Sequence, residues 1–192
     1  MLKAGILAGP LYVIVSLIEV FSRDGFDPRR HAWSQLANGD FGWIHSANLI
    51  VSGLLVVAGA IGWRKTMRNR AWAFLAVYGL GMVVAGVFKA DPGRGFPAGT
   101  PEIVPLSTSG MVHFAAGGVG FVCLVIACFL ARSRAVGVIF GLTYVALIAG
   151  AGQAWSLLTF TAGVILVSGW ITYRSITLNA AKMNAVELEV VR

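Results

Sequence analysis

The sequence predicts an all-α polytopic membrane protein with six transmembrane helices and two ordered outer loops. Three observations lead there. Apolar residues make up 57% of the chain and charged residues only 12%, far from the balance of a soluble domain. The apolar residues fall into runs long enough for a hydrocarbon core about 30 Å thick, which takes about 20 residues of helix. The charges gather between these runs rather than within them.

The spans are read in order as residues 4–21, 43–63, 71–88, 111–131, 135–150 and 156–173. Lys3 precedes the first, as in a signal peptide, but no small-x-small cleavage site follows before Arg23, so the run is read as a retained helix. The last two come from one uncharged stretch, Ala135 to Tyr173. As a single helix it would measure roughly 58 Å, about twice a bilayer core. It must fold back, and Gly150-Ala151-Gly152-Gln153 is the natural turn. The organisation expected is a six-helix transmembrane domain over residues 1–179 and a short cytoplasmic tail over 180–192.

Lys and Arg set the orientation. One side carries the N-terminus, the loop with Arg64, Lys65, Arg68 and Arg70, the loop with Arg132 and Arg134, and the C-terminal tail, ten of the fifteen basic residues in all. The other carries Arg23, Arg29, Arg30, Lys89 and Arg94, offset by Asp24, Asp27, Asp40, Asp91 and Glu102. The positive-inside rule places both termini in the cytoplasm. The net charge of +7 is then a topology signal and an attraction to anionic inner-leaflet lipid. It does not mark a nucleic-acid binder, which needs a soluble basic face. Cys123 and Cys128 lie within the fourth span without Cys-x-x-Cys spacing, and read as apolar packing.

Sequence complexity concentrates in the two outer loops. In the first, Asp27 as N-cap, Pro28 at the first helical position and Asn38-Gly39 as a stop predict a surface helix of about two to three turns. Trp33 and Leu36 would face the membrane, with His31 and Gln35 on another side. The second loop, rich in Pro and Gly from Asp91 to Pro101, predicts an ordered cap of turns. Within the bundle, close helix contacts are expected at Gly137-x-x-x-Gly141, at Gly81-x-x-x-Ala85 and along Gly117-Gly118-Val119-Gly120. A glycine-lined gap admitting a lipid tail is the alternative for such positions. Asn48, Tyr78, Thr143 and Tyr144 are expected as interhelical hydrogen-bond partners.

A pattern occurs twice. Phe21-x-x-Asp24 leads to Gly42-x-x-His45, and Phe88-x-x-Asp91 leads to Gly110-x-x-His113, with Asp-to-His separations of 21 and 22 residues. Two carboxylates and two imidazoles would share one membrane face, where ionisable groups are costly and often functional. Three readings follow. Asp91 and His113 with His45 or Asp24 form a zinc ligand set if the two halves meet, an open catalytic site needing three protein ligands and a water. Arg29, Arg30 and Arg94, beside His31, offer fork-shaped donors for a phosphate or carboxylate, with a lipid tail in an apolar groove. Alternatively each Asp caps a loop or pairs with Arg, Asp24 with Arg23 or Arg29 and Asp91 with Lys89 or Arg94, while His113 bonds a loop carbonyl. No ionisable residue lies near the centre of a span, Glu19 coming closest near the outer end of the first, which disfavours proton-coupled transport.

Gly42-Trp43-Ile44 with Asn48 and Gly53-Leu54-Leu55 resembles the bacterial domain-of-unknown-function 998 family. So do Gly86-Val87-Phe88 running into Asp91-Pro92-Gly93, then Gly95-Phe96-Pro97-Ala98-Gly99-Thr100-Pro101, and Gly110-x-x-His113. The resemblance covers nearly the whole chain and implies a six-helix integral membrane protein without an assigned activity. Asp91 and His113 match its pattern best. Members often carry glutamine at the position of His45, and a Trp-His pair near Thr108-Ser109 that this chain lacks. The expectation is a protein that binds a lipid headgroup, small ligand or partner at an outward site drawn from Asp91, His113, His45, Asp24, Arg94, Arg29, Arg30 and His31. The alternative is a membrane-embedded, metal-dependent hydrolase of a lipid ester or amide. No cofactor is specified.

Overall fold

The computed structural model describes residues 1–190, among which six α-helices and no strand are found. They are α1 (Leu2–Ser22), α2 (Gly42–Arg64), α3 (Ala71–Val87), α4 (Thr108–Leu130), α5 (Arg134–Ala149) and α6 (Ala154–Val190). α1, α2, α4 and α6 are long and apolar enough to cross a membrane, whereas α3 and α5 are shorter apolar helices of 17 and 16 residues. The fold-back falls at Gly150–Gln153, where Gly152 takes φ +78, a conformation that costs glycine little. α6 runs on as helix to Val190, within the segment expected to be a tail, whose last two residues lie outside the described ones.

Each helix packs on the next, and α6 closes the ring against α1. Leu7, Ile14, Ile18, Leu54, Val122 and Leu142 all point outward and are exposed. So much outward apolar surface suits hydrocarbon as the surrounding medium and is foreign to a soluble monomer. This is the architecture of a polytopic membrane protein. With no hydrophobic drive between helices in lipid, close backbone approach holds the ring together. α2 and α3 meet where Gly53 faces Gly79, since a Cβ on Gly53 would lie 2.6 Å from the Gly79 carbonyl oxygen. Gly81 meets α4 similarly, its Cβ position standing 2.8 Å from the Ala116 carbonyl oxygen. Gly137 lies tightly against Cys128 and Phe129, but the Gly141 Cβ position has only ordinary contact with Val125 at 3.7 Å. α4 and α5 therefore converge toward the Arg132 turn and part toward the loop end.

The expected surface helix is replaced by two smaller devices. Asp27 closes one turn, its carbonyl accepting from the amides of Arg30 and His31 and its Oδ1 from the amide of Arg29 at 2.9 Å. A 3-10 turn over Trp33–Ala37 follows. Trp33 and Leu36 share a side, as three-residue spacing in a 3-10 turn dictates, but that side faces the bundle. Both are buried, and Trp33 stands 5.9 Å from Tyr12, centroid to centroid.

Candidate functional site

The two outer loops form one cap. His31 Nδ1 accepts the Asp27 amide at 2.9 Å, so its proton sits on Nε2, which donates to the Arg94 carbonyl at 3.1 Å. Phe96 is buried against His31 and Phe26, with ring centroids 5.4 and 5.2 Å away. Arg94 donates to the carbonyls of Gly152 at 2.5 Å and Ala151 at 3.1 Å, tying the second loop to the α5–α6 turn. Arg30 pairs with Glu102 at 2.8 Å. Two of the three arginines expected to greet an anion are thus spent on holding the cap. Arg29 is exposed, and its guanidinium makes no ion pair or hydrogen bond among the described residues.

Neither Asp meets the cation expected for it. Asp24 is exposed and has no side-chain partner among the described residues. Arg23 turns from it to Glu19, with Nη1 3.5 Å from Oε1, while donating to the carbonyls of Leu36 at 3.1 Å and Asn38 at 2.6 Å. Glu19 Oε2 in turn accepts from His45 Nδ1 at 2.9 Å. His45 is fully buried and its Nε2 has no partner. An Arg23–Glu19–His45 network therefore crosses the α1–α2 interface. Glu19 was legible as an acid inside an apolar run four residues before Arg23, but that signal was overshadowed by the repeat.

Asp91 serves as a cap for α4. Its Oδ2 accepts the Ser107 amide at 2.9 Å, the Ser107 hydroxyl accepts the Gly110 amide at 3.0 Å, and any Cβ at Gly110 would run into the Asp91 carboxylate. His113, one turn further, points Nδ1 at the carbonyls of Ala85 and Phe88, 3.0 and 2.9 Å away. Carbonyls only accept, so Nδ1 carries the proton and Nε2 is left with its lone pair. The repeat thus has a structural component: each histidine bonds, from the start of its helix, to the end of the helix before it. The two copies diverge in what they bond.

His113 also lines a cavity of about 390 Å³. The cavity lies among α2, α3, α4, α5 and α6, roofed by Trp33 and Ser34 of the cap. Its α4 wall includes Gly117, Gly118 and Gly120; Gly117 and Gly118 open space here, while Gly120 also packs on α3, its Cβ position standing 3.5 Å from Tyr78. A Cβ at Gly117 would meet only Phe121, at 3.8 Å. Tyr78 and Tyr144, expected as interhelical bonding groups, line the space as well, with Phe121 and Phe160. Thr143 bonds within its own helix, to the Phe140 carbonyl at 2.8 Å. Asn48 does bridge helices, donating to the Tyr12 carbonyl at 3.1 Å and to Ser16 Oγ at 3.2 Å. Among the described residues no Asp, Glu, Lys or Arg lines the cavity. Phe114 and Ile148 line it while remaining exposed, which puts its rim between the parted ends of α4 and α5.

The metal reading finds no geometric support. Among the described residues no three His, Cys, Asp or Glu side chains converge as a metal ion requires. His45 is engaged with Glu19 and Asp91 with Ser107.

A family model described as Protein of unknown function (DUF998) matches residues 6–177, and the chain belongs to that family. No match was found among curated proteins or among solved structures.

Proposed function

We propose that this DUF998 protein binds a neutral amphiphile, with an apolar tail in the bundle cavity and a hydroxyl or amide N–H donated to His113 Nε2. The observation that carries this reading is the bonding of His113. Both carbonyls it reaches are on Nδ1, so the remaining nitrogen is an acceptor at a cavity otherwise lined by apolar and hydroxyl-bearing side chains. Neutrality of the ligand follows from the lining. A charged headgroup drawn into a low-dielectric site without a counter-charge would cost several kcal/mol, roughly.

Transfer of a tail from bilayer to cavity gains little, because lipid chains are as apolar as the cavity wall. Selectivity therefore rests on shape and on the polar anchor. The rim at Phe114 and Ile148 suits lateral entry from the leaflet on the capped side. With both termini cytoplasmic, as the distribution of basic residues supports, that leaflet is the outer one of a bacterial cytoplasmic membrane.

The test is lipid analysis of protein purified in mild detergent. His113→Asn keeps an amide donor near the position of Nδ1 and removes the Nε2 acceptor. Gly117→Leu fills the cavity at the position with the most room. Both should lose the same co-purifying species, by about fivefold to thirtyfold for the lost hydrogen bond. Retention of one lipid profile by the parent and both variants would overturn the reading.

A further inference from the structure

At the opposite end of the bundle from the cap, a second cleft of about 230 Å³ opens between the start of α1, the end of α2 and the far part of α6. Lys3, Lys65 and Lys182 line it, one from each of these three segments, together with Asn179 and Thr66. None of the three lysines takes part in an ion pair among the described residues. Six of the eight acids of the chain are Glu19, Asp24, Asp27, Asp40, Asp91 and Glu102, all on the outer loops or the helix end beside them, and among the described residues no acidic side chain lines the cleft.

Three like charges facing one concavity repel one another, and the repulsion is relieved when an anion sits between them. The geometry points to a site for a phosphate-class anion in this cleft, independent of the apolar cavity. The ammonium groups act as point charges around the phosphate oxygens. The Asn179 carboxamide, which has no hydrogen-bond partner of its own among the described residues, supplies a neutral donor on α6 one turn from Lys182. The Thr66 hydroxyl is already directed at the carbonyls of Trp63 at 3.1 Å and Gly62 at 3.4 Å, fixing the turn that presents Lys65. A tether of diffuse surface charge needs no such convergence. Phosphate chemistry reaches this place either as an anionic phospholipid headgroup or as a free phosphate.

Native mass spectrometry of the whole protein decides the matter. The probes are phosphatidylglycerol, phosphatidylcholine and inorganic phosphate, each added to delipidated protein in neutral detergent. The variants are Lys3→Gln/Lys65→Gln/Lys182→Gln and a charge-matched control, Arg68→Gln/Arg70→Gln/Arg134→Gln, at exposed basic positions outside the cleft. The parent and the control should retain one phosphatidylglycerol in preference to phosphatidylcholine, and the cleft variant should lose it by at least about tenfold. Displacement of that lipid by millimolar inorganic phosphate would assign the site to free phosphate, and resistance to it would assign it to the headgroup. Equal loss in the cleft variant and the control, or binding of neither phosphatidylglycerol nor inorganic phosphate to the parent, refutes the site. The reading of the apolar cavity is untouched by either result, because its ligand is followed separately.

Discussion

Glu19 and His45 are joined across the α1–α2 interface by a 2.9 Å bond from Nδ1 to Oε2, with both side chains sealed from solvent. Arg23, itself only 10% exposed at the side chain, stands 3.5 Å from the other carboxylate oxygen. Two helices of a membrane bundle have little hydrophobic reason to stay together. A buried polar network with one member on the partner helix makes separation expensive, because the freed groups would have no water to take them.

Glu19→Ala should therefore cost about 3–5 kcal/mol, the range for breaking a buried pair and leaving its partner behind. Replacing both residues with apolar ones of similar size, as in Glu19→Leu/His45→Phe, should recover a good part of that loss. Thermal unfolding in detergent measures both. A single substitution within about 0.5 kcal/mol of the parent would mean the network does not bind the helices.

Asp91 offers a contrast with His113. Its carboxylate accepts an amide at the start of α4, a task an amide oxygen performs as well. Asp91→Asn should leave both stability and the bound lipid unchanged, whereas Asp91→Ala should cost about 0.5–2 kcal/mol, as loss of a helix cap does. Depletion of the lipid by Asp91→Asn, with the fold intact, would show that the carboxylate belongs to the ligand site after all.

The two long loops act as one body only through a few bonds, and Arg94 makes the two that reach the α5–α6 turn. Arg94→Ala should raise amide hydrogen exchange in both the loop around Gly93–Phe96 and the turn at Gly150–Gln153, while exchange at the basic end stays constant. Exchange confined to the mutated loop would show that the turn holds its shape unaided.

The reach of sequence reasoning tracks the range of the forces involved. The fold-back at Gly150–Gln153 was readable because an uncharged run too long for one crossing has to reverse, and glycines mark where. The stop at Asn38-Gly39 was readable for the same local reason, and Gly39 takes φ +76. The segment between Asp27 and Asn38 misled because its capping signals are those of a helix, while its shape is decided at a distance. His31 spends one ring nitrogen on Asp27 and the other on Arg94, and Trp33 and Leu36 are drawn inward over the bundle. The glycines of α4 were ambiguous in kind: the same residues permit contact or leave a gap, and only the position of α5 and α6 decides which. His113 stood out as the matched residue of the repeat, but its usefulness to a ligand depends on which nitrogen the end of α3 occupies.

The orientation of the bundle rests on the distribution of Lys and Arg, and a direct measurement settles it. Ala98 is exposed in the second outer loop, and Arg68 is exposed in the turn between α2 and α3 at the basic end. Neither side chain makes a hydrogen bond or ion pair among the described residues, so a cysteine at either should leave the fold alone. Cys123 and Cys128 lie within α4, Cys128 fully buried, and an impermeant maleimide has no aqueous path to them through lipid. Intact cells expressing Ala98→Cys should label and those expressing Arg68→Cys should not, with both reacting once the membrane is opened. The opposite pattern would invert the molecule. It would put the cap and the rim of the apolar cavity on the cytoplasmic leaflet, and the lysine cleft on the outside, where the anionic lipid it is suited to is scarcer.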